Sequence, residues 1–145
     1  MRLSIFAMIF VMFAAPPSFA QANPVKIYVS STSQDQLGKQ LAFALRERIR
    51  SSGGYAEAYD SDSATVEIKL VTLDPDELSS QGRTIYPWTM LWNLTGKIRG
   101  LYVTSSVGIC GRSKIDECAG GLFRDTGVQV DDMRAAMVEE LKSRQ

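Results

Sequence analysis

Apolar and polar residues alternate along four stretches of the chain, with the two-residue period of strands that bury one face. The most regular stretch is 64–71, where Ala, Val, Ile and Leu stand at every second position. The others are 24–30, 84–94 and 97–109, and the last two follow each other closely enough to form an antiparallel hairpin. We predict a strand in each stretch, and residues 55–59 allow a further short strand.

A helical period replaces the alternation between the first two strands. The apolar residues that recur at helical spacing there are Leu37, Leu41, Ala44, Leu45 and Ile49. Ser33 and Gln36 fit a capping box at the start of this helix, and Gly53-Gly54 is a typical end. The spacing therefore predicts one amphipathic helix between these two signals.

Two further helices are predicted near the C terminus. The first covers residues 115–123, and the second begins at a capping Asp131, with residues 127–130 as a link. The resulting order is β-α-β-β-β-α-α. It indicates an α+β fold, a two-layer sandwich in which two or three helices cover one face of a mostly antiparallel sheet of about four strands. The other face of the sheet is then open to water or to a partner.

The layout of residues 24–71 is similar to that of small periplasmic accessory domains of envelope assembly systems. It consists of an opening strand, an amphipathic helix that ends in Gly53-Gly54-Tyr55, and a regular alternating strand. Such a layout implies an accessory role, although a fold by itself does not fix a function.

The first 20 residues have the three parts of a cleaved secretory signal. Arg2 gives a positive start, residues 5–15 are apolar, and small residues precede possible cleavage sites after Ala20 or Ala22. The apolar run is shorter than the 20 or so residues that span a bilayer, so we expect no membrane anchor after cleavage. We predict one globular domain over residues 21–145, in the periplasm or secreted.

The composition limits the chemistry that this domain can perform. The chain has no histidine, which excludes a Ser-His-Asp triad, a Cys-His pair and histidine metal ligands. Residues 21–145 carry a formal charge of −1, which argues against nucleic acid as a partner. The acidic turns Asp60-Ser61-Asp62 and 74–77 contain oxygen ligands but complete no calcium loop. We expect no enzymatic activity, no cofactor and no metal.

Seven residues separate the two cysteines, Cys110 and Cys118. An even number of cysteines in an exported chain is typical of a disulfide. A metal site is disfavoured because two thiolates without histidine leave a metal half-liganded. We therefore predict a structural disulfide between Cys110 and Cys118.

Three aromatic residues, Tyr86, Trp88 and Trp92, share one face of the predicted strand 84–94. They are either part of the core beneath the helices or a binding surface, because Trp and Tyr are enriched in both. Pro87 favours the edge of the sheet, where the strand could accept a strand from a partner. This alternative remains open at the level of the sequence.

Three functions follow from these features. The first is a non-enzymatic exported accessory domain that binds another envelope or secreted protein. The second is a binder of a small ligand or saccharide on the aromatic face. The third is a carboxylate-dependent hydrolase, which needs two carboxylates across a cleft.

Overall fold

The computed structural model describes residues 23–75, 82–94 and 98–144, which form one mixed sheet and two helices. The strands are β1 (Val25–Ser33), β2 (Tyr55–Glu57), β3 (Val66–Thr72), β4 (Arg83–Leu94) and β5 (Ile98–Gly111). The helices are α1 (Gln36–Ser51) and α2 (Ile115–Ser143), the latter preceded by a 3-10 turn, Arg112–Lys114. The predicted signal sequence and residues 95–97, between the two strands of the predicted hairpin, lie outside the described residues.

The strands lie in the order β2-β1-β3-β4-β5. Strand β1 is parallel to both of its neighbours, β2 and β3, whereas β4 is antiparallel to both of its neighbours, β3 and β5. The predicted α+β class and the α-helical layer on one face are confirmed. The sheet has five strands rather than about four, because residues 55–57 pair with the start of β1. It is mixed rather than mostly antiparallel, because β1 is parallel to both of its neighbours.

The core lies between this sheet and the two helices. Alternate residues of the three central strands point toward the helices and are buried, as their two-residue period predicts. The members from the sheet are Val25, Ile27, Val29, Val66, Ile68, Leu70, Trp88, Met90 and Trp92. Those from the helices are Leu41, Ala42, Leu45, Ile49, Ala119, Leu122 and Val130.

Helix α1 begins one residue after its cap, Asp35, whose carboxylate accepts a hydrogen bond from the backbone N–H of Gly38 at 2.6 Å. The predicted cap, Ser33, is wrong because β1 continues through that residue. The predicted stop at Gly53-Gly54 is close, since α1 ends at Ser51.

The C-terminal segment is one helix of 29 residues, so the prediction of two helices with a link at 127–130 is wrong. Each helical glycine costs about 1 kcal/mol relative to alanine, which weakens the pattern locally. Ala119, Leu122, Thr126 and Val130 are nonetheless buried on one face of the helix. This long-range packing outweighs the low propensity of the glycines. None of the helices in the described ranges is long and apolar enough to cross a membrane.

Candidate functional site

The structure places the two tryptophans of the predicted aromatic face in the core. Trp88 and Trp92 are 5% and 4% exposed, because the helices cover this side of β4. Both tryptophans therefore pack in the core, which is the first of the two interpretations that the sequence allowed. Tyr86 is half-buried and is the member of the set with accessible surface.

Strand β4 lies inside the sheet, so the prediction that Pro87 marks an edge strand is wrong. The β3–β4 pairing runs to Leu70 opposite Trp88 and resumes at Leu73 opposite Ile85. It skips Pro87, which has no N–H to donate to β3. The sheet accommodates this proline because the hydrogen-bond ladder between β3 and β4 is interrupted at its position. The strand does not have to lie at the edge of the sheet.

The long edge of the sheet is β5, which pairs with β4 on one side and with no described strand on the other. Ile85 exchanges two backbone hydrogen bonds with Leu73, so its main chain points away from β5. The main-chain N–H and C=O groups of successive residues in an antiparallel strand point alternately toward its two sides. The main-chain N–H and C=O groups of Ser105, Val107 and Ile109 therefore point outward from the sheet.

An apolar patch covers one end of the open face of the sheet. Ile109 lies opposite Ile85, and Val107 lies opposite Pro87. Val107 and Ile109 are 67% and 64% exposed. The open-face patch consists of Val71, Leu73, Ile85, Pro87, Val107 and Ile109. The open face of the sheet, which the sequence predicts to contact water or a partner, is thus polar only in part.

A groove runs along β5 on the opposite, helix-covered side, with a volume of about 460 Å³. We call it the β5–α2 groove. The sheet contributes Tyr86, Trp88, Ser106 and Gly108, and α2 contributes Cys118, Gly121, Leu122 and Asp125. Its size lies within the usual range of ligand pockets.

The disulfide fixes one end of this groove. Cys110, at the end of β5, is joined to Cys118, in the second turn of α2, with 6.1 Å between their Cα atoms. The bond predicted from the sequence is present, and it ties the wall formed by α2 to the wall formed by β5.

The charges around the groove largely neutralise one another. Lys114 Nζ lies 2.7 Å from Glu117 Oε2, and this bond lowers the pKa of the Glu117 carboxyl and raises that of Lys114. Burial raises the pKa of the Tyr86 hydroxyl, and the negative charge of Asp125 raises it further. Arg124 and Asp125 also line the groove with one charge of each sign, so it carries no formal net charge.

The first acidic turn and the polar residues near the disulfide are held by local hydrogen bonds and ion pairs. The pKa of the Asp60 carboxyl is lowered by hydrogen bonds from Ser63, the direction opposite to that of a general acid. Ser105 shares a hydrogen bond with Tyr102, and Lys114 is paired with Glu117. No cluster of three metal-ligating side chains occurs in the described ranges, and residues 76 and 77 of the second acidic turn lie outside them.

A larger depression of about 720 Å³ lies between the outer side of α1 and the start of α2. Phe43 is exposed at its surface, and Arg48 crosses it to donate a hydrogen bond to the backbone oxygen of Asp116. Helix main chain is saturated with internal hydrogen bonds. Apart from the first turns of the two helices, this depression therefore offers side chains, whereas the β5–α2 groove lies beside a free strand edge.

No family model matches the chain, and no curated protein matches it. Among solved structures it is similar to a DUF4136 family protein from Bacteroides thetaiotaomicron, with 14% identity and a TM-score of 0.47 over 74% of this chain and 91% of that one. It is also similar to a PelC dodecamer from Paraburkholderia phytofirmans, with 16% identity and a TM-score of 0.40 over 73% and 84%. A third is described as a candidate lipoprotein from Caulobacter crescentus, with 12% identity and a TM-score of 0.34 over 81% and 92%. At these values the similarity assigns no function.

Proposed function

We propose that this chain is a non-enzymatic, exported accessory protein that binds an extended segment of another envelope or secreted protein along β5. The observation that carries the proposal is the unprotected edge of that strand. Residues 100–111 contain no charged residue and no proline. Proteins that remain monomeric guard such edges with charges, prolines or bulges, because free main-chain groups recruit other strands.

The protective features of β5, the charge of Arg99 and two shifts in the register with β4, lie toward its start, away from the exposed end. The register with β4 shifts between Met90 and Leu91, opposite Thr104 and Tyr102, which leaves Val103 unpaired in a bulge. From Thr104 to Gly111 the register is regular. This segment can pair with about four to eight residues of an incoming strand, the usual length of a strand in a sheet.

Side chains on both faces of the edge add to the main-chain hydrogen bonds. A strand added beside β5 lies next to Val107 and Ile109 on the open face, where β-branched cross-strand pairs are stabilising. In β-augmentation the backbone supplies affinity and pockets for alternate side chains supply specificity. The exposed apolar residues of β5 provide side-chain contacts for the added strand on the open face.

Affinity capture with the oxidised protein, residues 21–145, tests this proposal. Envelope extract from the source cells is passed over wild type, Val107→Lys and Val138→Lys. Val138 is an exposed valine on α2, 50% exposed, so it controls for the added charge away from the edge. Partners should be retained by wild type and Val138→Lys and lost by Val107→Lys. Equal capture by all three proteins would contradict binding at β5.

A small ligand or saccharide is the second candidate, and the accessible ring of Tyr86 in the β5–α2 groove favours it. Aromatic rings stack on sugar rings, and the polar groups of Lys114, Glu117 and Asp125 line the same groove. Trp88 lines the groove as well, so its fluorescence should change when a saccharide binds. A saccharide panel that leaves the fluorescence unchanged would exclude this candidate.

A further inference from the structure

We infer that the β5–α2 groove is a gap in the core, which a bulky apolar side chain of the bound strand completes. This inference rests on the function proposed above and specifies the chemistry of the segment that binds. It follows from the sizes of the side chains on β5 and α2, and from the place of the groove at the edge of the sheet.

Side chains on the helix side become small at β5. One row across the sheet runs from Leu70 through Trp88 to Ser106, and the next runs from Ile68 through Met90 to Thr104. Gly108 has no side chain of its own, and the ring of Tyr86 from β4 lies over it. Close-packed interiors contain few voids larger than a water molecule, so this layer is complete under β3 and β4 and incomplete at the edge.

The wall formed by α2 is also lined by small residues where it faces β5. A β-carbon at Gly121 would meet no heavy atom within 4 Å, so the helix leaves open space there. Cys118 is fixed in the disulfide and cannot move inward. Both walls of the groove are therefore held apart rather than packed together.

A strand added to β5 would direct every second side chain into this groove, because side chains alternate between the faces of a sheet. The apolar surfaces of Trp88, Leu122 and the Tyr86 ring line the groove. Lys114 and Glu117 are paired, and Arg124 and Asp125 add one charge of each sign, so the groove has no net charge that would attract a charged side chain. The segment that fits is uncharged at these positions and carries bulky apolar residues two apart.

A second copy of this chain does not fit the groove. Antiparallel pairing of β5 with β5 of another copy would place Thr104, Ser106 and Gly108 of that copy on the helix side. These residues are as small as the β5 residues of the first copy beside which they would lie. The β5–α2 groove would therefore remain unfilled. The occupant is therefore an extended segment of a different protein.

Selection from a phage-displayed library of random ten-residue peptides against the oxidised protein tests this inference. Enriched peptides should share bulky apolar residues at alternate positions. Their affinity for Gly121→Leu should fall about tenfold or more, because the leucine fills the space that the peptide side chain needs. Gly121→Ala is the matched control and should change the affinity little. Both variants should melt at or above the wild-type temperature, since they replace a helical glycine.

The outcomes separate this inference from the proposed function. If Val107→Lys abolishes peptide binding and Gly121→Leu leaves it unchanged, the edge binds strands but the groove takes no side chain, and the inference is wrong. If peptides bind Val107→Lys as they bind wild type, or no peptide is enriched, both are wrong. Light scattering that shows a wild-type dimer and a monomeric Val107→Lys would identify a second copy at the edge and overturn the inference.

Discussion

The ring of Tyr86 lies across Gly108 on the neighbouring strand. A β-carbon at Gly108 would come within 2.3 Å of Tyr86 Cζ, closer than any normal contact. The glycine therefore lets the tyrosine ring cover β5 and form one side of the β5–α2 groove. The edge strand and the groove are coupled through this pair.

Gly108→Ala should lower the free energy of unfolding by about 1–3 kcal/mol, because the methyl group forces the Tyr86 ring out of its place. Urea denaturation measures the change. Gly111→Ala, at the end of the same strand, is the control, since a β-carbon there meets nothing within 4 Å. Equal stability of the two variants would show that the Tyr86 ring is free to move.

Gly38→Ala should also be destabilising, by about 1–3 kcal/mol, because overpacking forces the sheet and helix apart. A β-carbon at Gly38 would lie 1.7 Å from Thr72 Oγ1, in the fully buried contact between α1 and β3. Thermal denaturation compares this variant with Gly53→Ala, where a β-carbon meets nothing within 4 Å. A melting temperature of Gly38→Ala equal to that of the control would contradict this close approach.

Stability should fall as the pH rises above about 10, the ordinary pKa of tyrosine. Burial raises the pKa of Tyr86 and of Tyr55 in the folded state. At high pH the unfolded chain therefore releases protons that the folded chain retains, and unfolding becomes more favourable. Below the unfolded pKa both states are protonated and this effect is absent.

Denaturation with urea at several alkaline pH values measures this dependence. Tyr86→Phe should show a shallower loss of stability than wild type, because it removes one of the two hydroxyls whose pKa is raised by burial. A pH dependence identical to that of wild type would mean that Tyr86 does not contribute.

Removal of the disulfide by the double substitution Cys110→Ala and Cys118→Ala should lower the free energy of unfolding by about 2–3 kcal/mol, as expected for so short a loop. Because the bond ties α2 to β5, library-selected peptides should also bind the double variant more weakly. Urea denaturation and peptide titration measure the two effects. Unchanged peptide affinity in a less stable variant would show that the bond stabilises the fold without shaping the groove.

Much of the local structure follows from the sequence. The strands near 24–30, 64–71 and 84–94 lie where the alternation predicts them, because one buried face imposes a two-residue period. Helix α1 follows the 3.6-residue period in the same way. The disulfide follows from two cysteines in a chain with a predicted export signal.

The errors arise where distant contacts override local preference. Glycines at 120, 121 and 127 weaken a helix locally, yet α2 continues through them because Leu122, Thr126 and Val130 are buried where α2 packs on α1 and β5. Pro87 usually marks an edge, yet β4 is central because one missing hydrogen bond costs less than exposing its tryptophans.

The sequence by itself determined the periodic elements, the α+β class, the cysteine pair and the absence of histidine chemistry. These properties depend on residue types and on spacing along the chain. Only the tertiary structure decided that Trp88 and Trp92 are buried, that β5 is the free edge, and that small residues of β5 and α2 face each other across a groove. Strand order and the position of α2 result from contacts between residues far apart in the sequence, and a local pattern carries no information about which distant surfaces meet.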